Sequence, residues 1–153
     1  MGFFPFSKKK SFFSDQENKT IVEAIRTAER STSGEIRVFV ENRCRFVDPL
    51  DRAIEIFARL KMQNTAQRNS VLVYVAIKDR QLAVYGDTGI HQKTGSEYWK
   101  AAVNNMISHF NREDYADGIA NCVTMIGKAL QEHFPYDKDL DKNELPDEII
   151  FGK

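Results

Sequence analysis

Two short acidic stretches carry the side chains best suited to chemistry. Ser33-Gly34-Glu35 sets a carboxylate directly after a glycine, and Gly86-Asp87-Thr88-Gly89 brackets another between two glycines. Hard divalent cations take several oxygens at one place, from carboxylates, side-chain amides and backbone carbonyls. Glycine-rich backbone can turn carbonyls inward. With Asn69 as an amide donor, Glu35 and Asp87 form one candidate cation set. A second set is Asp79, Asp114 and Asp117, richer in carboxylates but spread over more loops. Neither follows the EF-hand loop pattern, and ordinary surface carboxylates and turn residues would read the same way.

Other chemistries are poorly supplied. The chain has no G-x-S-x-G, no H-E-x-x-H, no P-loop and no G-x-G-x-x-G. His91, His109 and His133 are dispersed. His91 beside Asp87 could serve as a general acid or base, but no nucleophile accompanies it. His109 lies on or beside an apolar helix face and reads as a packed residue. His133 falls in a last helical turn, where a cation suits the dipole.

The elements that must position these groups follow from hydropathy. Val71 to Ile77 is an unbroken apolar run rich in β-branched residues, which predicts a strand buried on both faces. After the polar Lys78-Asp79-Arg80-Gln81, Leu82 to Tyr85 reads as its antiparallel hairpin partner. Glu35 to Glu41 alternates, with Ile36, Val38 and Val40 on one face. Ser14 and Glu17 predict a capping box for a helix from Asp15 to Arg30, with Gly34 suited to a left-handed terminus after it. Asp48-Pro49 opens a second helix, from about Leu50 to Met62 or beyond. Gly86 to Thr94 reads as a turn. A third helix spans about Gly95 to Phe110, with Trp99 as core rather than ligand platform, and a fourth runs from Asn111-Arg112-Glu113-Asp114 to His133.

The predicted order α-β-α-β-β-α-α gives an α/β fold, a small, mostly parallel mixed sheet sandwiched by about four helices. Strand direction sorts the polar groups to two ends. One end gathers Gly34, Glu35, Arg68, Asn69, Gly86, Asp87, Thr88 and His91. The other gathers Glu41, Asn42, Asp48 and Asp79, joined by Asp114 and Asp117 if the third helix runs back along the third strand. The carboxyl ends of the parallel strands favour the second end; the glycine bracket favours the first.

Composition bounds the rest. The 153 residues make one domain with a substantial core, and 22 basic residues balance 22 acidic ones. That removes the basic excess on which nucleic-acid binding rests. Cys44 and Cys122 have no metal or redox spacing and read as reduced thiols. The start, Met-Gly-Phe-Phe-Pro-Phe-Ser-Lys-Lys-Lys, fits neither a signal peptide nor a membrane span. The expectation is a cytoplasmic protein with no membrane insertion. Residues 1–13 read as a mobile arm, 14–135 as the domain and 136–153 as an acidic tail whose Ile149-Ile150-Phe151 packs on the body.

Four stretches in order, Thr32-Ser33-Gly34-Glu35-Ile36-Arg37-Val38, Arg68-Asn69-Ser70-Val71-Leu72-Val73-Tyr74, Gly86-Asp87-Thr88-Gly89-Ile90-His91 and Asp114-Tyr115-Ala116-Asp117-Gly118-Ile119, resemble the TPM domain family. The closing Asn143-Glu144-Leu145-Pro146-Asp147-Glu148-Ile149 resembles the tail of a soluble bacterial branch. Relatives include a thylakoid-lumen protein of photosystem II repair. The resemblance implies a Rossmann-like sandwich and a divalent-cation site, calcium (Ca2+) ahead of magnesium (Mg2+), in at least some members. It also implies an acid phosphatase activity in the plant branch. Carried over by motif, Glu35 and Asp87 are the metal ligands, with Asn69 as helper. Ser70 departs from the family's usual glycine there. The expectation is a cation-binding module acting through a protein partner. Its alternatives are a metal-assisted phosphatase holding phosphate on Arg68 or Arg37, and a metal-free interaction domain using the tail or the Lys8-Lys9-Lys10 arm.

Overall fold

The computed structural model describes residues 12–45, 47–136 and 149–152. The Lys8-Lys9-Lys10 arm and the acidic part of the tail lie outside the described residues. Among the described residues there are five helices and one four-stranded sheet, α1 (Asp15–Glu29), β1 (Glu35–Glu41), α2 (Pro49–Arg59), β2 (Ser70–Ala76), β3 (Gln81–Gly86), α3 (Thr88–Thr94), α4 (Ser96–Phe110), α5 (Tyr115–His133) and β4 (Ile150–Phe151). The sheet order is β3-β2-β1-β4, with β1 parallel to both β2 and β4 and β3 antiparallel to β2. This is the α/β sandwich that the alternation of element types predicts.

Local chemistry starts and stops the helices. The Ser14 hydroxyl accepts from the Glu17 amide at 3.1 Å while the Glu17 carboxylate accepts from the Ser14 amide at 2.8 Å, so the capping box forms. Asp48 caps α2, accepting from the Leu50 amide at 3.0 Å, with Pro49 inside the first turn. That helix ends at Arg59, short of Met62, because Lys61 turns to a φ of 57°. Gly34 is not left-handed; among the described glycines only Gly95 has a positive φ. A Cβ on Gly34 would stand 2.7 Å from a Leu130 methyl and 3.1 Å from the Asn69 carbonyl, so glycine there serves close packing.

Two regions differ from expectation. Gly86 to Thr94 is not only a turn, because Asp87 caps a short helix from Thr88. Gly95, at φ 80°, separates that helix from α4. At the tail, Ile150 and Phe151 pair with Phe39 and Val40 as an edge strand. Phe151 lies 5.7 Å from Phe12 and 6.3 Å from Phe13 between ring centroids, so these aromatic residues close over one sheet edge.

The sheet is covered on both faces. Ile36, Val38, Val71, Val73 and Val84 pack with Ile25 of α1, Met106 of α4 and Ile126 of α5. Leu72, Tyr74 and Ala83 pack with Ile56 and Phe57 of α2. All seven residues of β2 are buried, as a central strand with no solvent face must be. Among the described residues no helix is long and apolar enough to cross a membrane.

Candidate functional site

The parallel pairing sets Glu35 opposite Ser70, and on the other side of Ser70 the Asp87 amide donates to its carbonyl at 2.9 Å. Glu35, Ser70 and Asp87 therefore form one row across three strands, with the outer Cα atoms about 10 Å apart at ordinary strand spacing. Both carboxylates are buried, Glu35 at 2% exposure and Asp87 at 1%. Buried carboxylates are stable only with hydrogen bonds or cations beside them.

Asp87 has both. Its carboxylate accepts from the Thr88 amide at 2.7 Å, capping α3. It also takes two bonds from Arg68, Nε to Oδ2 at 2.7 Å and Nη2 to Oδ1 at 2.9 Å. The bond to Asp87, then its charge, raises the Arg68 guanidinium above its ordinary value. Arg68 holds this pose from a left-handed backbone, φ 52°. Its side chain remains 48% exposed, so the pair has one buried and one solvated partner.

Asn69 is also buried, and the nitrogen of its side-chain amide is engaged with Ser33. Its Nδ2 donates to the Ser33 hydroxyl at 3.3 Å, and its backbone carbonyl accepts from the Glu35 amide at 3.4 Å. It ties the loop before β2 to the start of β1. Ser70 Oγ donates to the Met62 carbonyl at 2.7 Å. His91 Nδ1 accepts from the Trp99 indole at 3.0 Å, which leaves Nε2 as the protonated nitrogen of the neutral ring. Trp99 is core, 5% exposed.

The opposite end of the sheet is organised around Glu41. Arg52 donates to both its oxygens at 3.0 Å, and the Tyr74 hydroxyl donates to Oε2. Glu41 is 5% exposed and Tyr74 fully buried. Its bonds to Glu41 push the Arg52 guanidinium up, and burial followed by the Glu41 bond pushes the Tyr74 hydroxyl up. Sequence reading places Glu41 here but misses its two partners, which no local motif announces.

Asp79, Asp114 and Asp117 have separate surroundings. Asp79 accepts from the Cys44 amide at 2.8 Å and from Arg43 at 2.9 Å, and the Cys44 amide leads in holding it below the usual carboxylate range. Asp114 meets His109 Nδ1 at 3.2 Å, while Asp117 is exposed in the first turn of α5. Among the described residues no three His, Cys, Asp or Glu side chains assemble into a metal-holding group. An oxygen site among the described residues would draw on at most two carboxylates, with hydroxyl, amide or carbonyl oxygens.

Comparison with known proteins agrees with this architecture. The TPM domain model matches residues 7–129. The chain is similar to the BA42 protein of the psychrophilic bacterium Bizionia argentinensis, solved by NMR, at 40% identity and a TM-score of 0.85, covering 95% of this chain and 99% of that one. Two N-terminal domains share the fold at lower identity. One, from P. gingivalis, is 18% identical with a TM-score of 0.68, over 84% of this chain and 85% of that one. The other, from Corynebacterium glutamicum, is 19% identical with a TM-score of 0.62, over 78% and 74%. No curated protein matches. With a family model spanning most of its length and a relative 40% identical over 95% of it, the chain belongs to the TPM domain family.

Proposed function

We propose that the chain is a divalent-cation-binding module, selective for calcium over magnesium, that acts through a protein partner. The observation that carries the reading is the row Glu35–Ser70–Asp87, with a buried carboxylate at each end and Arg68 supplying positive charge to one of them. The available donors are all oxygens, which suit a hard cation. Calcium tolerates irregular sets of six to eight oxygens, whereas magnesium demands near-octahedral geometry. Arg68 is half exposed, so its guanidinium can leave Asp87 for solvent when a divalent ion takes its place. When bound, the ion would neutralise the two carboxylates and fix the strand ends that carry them. The phosphatase alternative asks Arg68 or Arg37 to hold a phosphate, and Arg68 would have to release Asp87 to do so.

The test is a calcium titration followed by amide chemical shifts and melting temperature. Shifts at Glu35, Ser70 and Asp87 are expected. A ligand at ten times its Kd adds about 1.4 kcal/mol to the folded state. Shifts at Asp79 and Asp114 instead would move the site to the other end of the sheet. No shift at millimolar calcium would leave an interaction module without a cation.

A further inference from the structure

We infer that α2 is a self-association face, on which a second copy of this chain packs helix against helix, antiparallel about Ile54. This goes beyond the cation reading and does not depend on it.

The faces of α2 are used unevenly. Ala53, Ile56 and Phe57 are buried against β2 and β3. On one flank Arg52 turns towards β1 and holds Glu41. On the opposite flank Leu50, Ile54 and Ala58 sit four positions apart, so they stack along the helix as one row. All three are exposed, Leu50 at 44% and Ile54 at 41%. Among the described residues the exposed large apolar side chains are Val47, Leu50, Ile54, Ile107 and Tyr136. Three of these five therefore lie on α2 or just before its Asp48 cap. Apolar side chains scattered singly need no partner, whereas a contiguous row marks an interaction surface. Leu50 also walls a groove of about 690 Å³ with Leu82 and Val103, which extends the apolar surface past the end of the row.

Size and charge along the row select a second copy as the occupant. A twofold axis requires a surface that complements itself. Ile54 is the midpoint of Pro49–Arg59, so an antiparallel pair overlapping along its whole length sets Ile54 on its own counterpart. Leu50 then meets Ala58 of the second copy, large against small, on both sides of the axis. The charges follow the same symmetry. Asp51, Glu55 and Arg59 run beside the row. Antiparallel packing brings Asp51 of each copy to Arg59 of the other. Asp51 has no ion pair among the described residues, and Arg59 gives only Nη2 to Glu55, at 2.8 Å, which leaves its other donors for a second carboxylate. Glu55 faces its own counterpart, but Arg52 and Arg59 of its own helix already neutralise it. The helix dipoles also oppose, each positive end lying beside a negative one. A helix of 11 residues is about 16 Å long, too short to supply the roughly 800 Å² per partner of a standard interface, so the dimer is weak and forms as concentration rises.

The test is sedimentation velocity on the full chain, from about 20 μM to about 1 mM with a calcium chelator present, together with amide shifts of the labelled chain on dilution. Expected are a mass rising towards the dimer with a Kd of about 100 μM, and dilution shifts at Leu50, Ile54 and Ala58. Ile54→Glu, on an exposed side chain, should weaken association about tenfold without moving the melting temperature. Asp51→Arg and Arg59→Asp each set like charges across the twofold axis, so each alone should weaken association. Mixed, the two variants should pair about as tightly as the unaltered chain, because every contact between positions 51 and 59 is then opposite in sign. A monomer mass throughout overturns the inference, as does a dimer indifferent to Ile54→Glu. So do dilution shifts confined to other surfaces, or a mixture that associates no more tightly than either variant alone. Failure of the calcium titration leaves this result untouched, and failure here leaves that one untouched.

Discussion

Arg68 grips Asp87 through two parallel bonds, so a side chain with half its surface in water neutralises a carboxylate that has almost none. The guanidinium thus competes with any metal ion for the same oxygens. Arg68→Gln should tighten calcium binding about tenfold, and Asp87→Asn should abolish it, as measured by isothermal titration. An unchanged affinity in Arg68→Gln would show that the ion does not use Asp87.

Gly89 explains why the acidic turn needs its second glycine. A Cβ there would stand 2.2 Å from the Gln67 carbonyl oxygen and 2.5 Å from that of Arg68. Both obstacles are backbone and cannot rotate away. Gly89→Ala should push α3 off the loop that presents Arg68 and cost about 3 kcal/mol in urea unfolding. A cost below about 0.5 kcal/mol, the range of an indifferent surface change, would mean that the loop yields freely.

How far these relationships can be read in a sequence depends on how local their causes are. The apolar run Val71 to Ile77 predicts a central strand because burial on both faces leaves a continuous signature, and β2 is that strand. Ser14 and Glu17 announce their helix because the cap is three residues long. By contrast, α3 buries only Ile90, so no periodicity marks it within Gly86 to Thr94. Strand direction alone brings Glu35 and Asp87 to one end of the sheet. The Arg68 grip on Asp87 spans 19 positions and the Glu41–Tyr74 bond 33, and no short motif encodes either. Asn69 reads as a ligand by type, and its side-chain nitrogen donates to Ser33, a contact that no short motif encodes.

The Glu41 network should behave as one unit. Arg52→Ala leaves a carboxylate at 5% exposure with only the Tyr74 hydroxyl and should cost about 2 kcal/mol. Tyr74→Phe removes one neutral donor and should cost about 1 kcal/mol. The double variant should cost clearly more or less than the sum, since both residues bind the same carboxylate. Strict additivity in urea titrations would show that the two bonds are energetically separate.

Alkaline pH should expose the buried thiol. Burial pushes Cys122 from an ordinary value of 9 up to about 12. Below pH 9 the folded and unfolded chains both keep that proton, so it contributes no pH dependence. Between about 9 and 12 the unfolded chain releases it and the folded chain does not, so stability falls with rising pH. One proton corresponds to a slope of about 1.4 kcal/mol per pH unit. Tyr74, also raised by burial, adds to the fall above pH 10. Cys122→Ala should flatten the slope between pH 9 and 10 in denaturant titrations, and an unaltered slope would rule the thiol out as its source.

The last strand should be a stabilising clasp rather than a passive end. The Gly152 amide donates to the Val40 carbonyl at 2.7 Å, and Phe151 packs against Phe12 and Phe13. Without Ile150 and Phe151, β1 would become an open edge and the Phe13 side of the core would meet water. Phe151→Ala should cost about 2 kcal/mol, scaled down from full burial because the ring is only partly covered. It should also speed amide exchange along the β4-facing side of β1, leaving β2 protected. If exchange instead rises evenly through the sheet, the tail is coupled to global unfolding and not to one edge. That distinction matters because the two edges have opposite designs. Phe12 and Phe13 pack on Phe151 at the β4 edge, whereas at the β3 edge Leu82, Val84 and Gly86 line a groove.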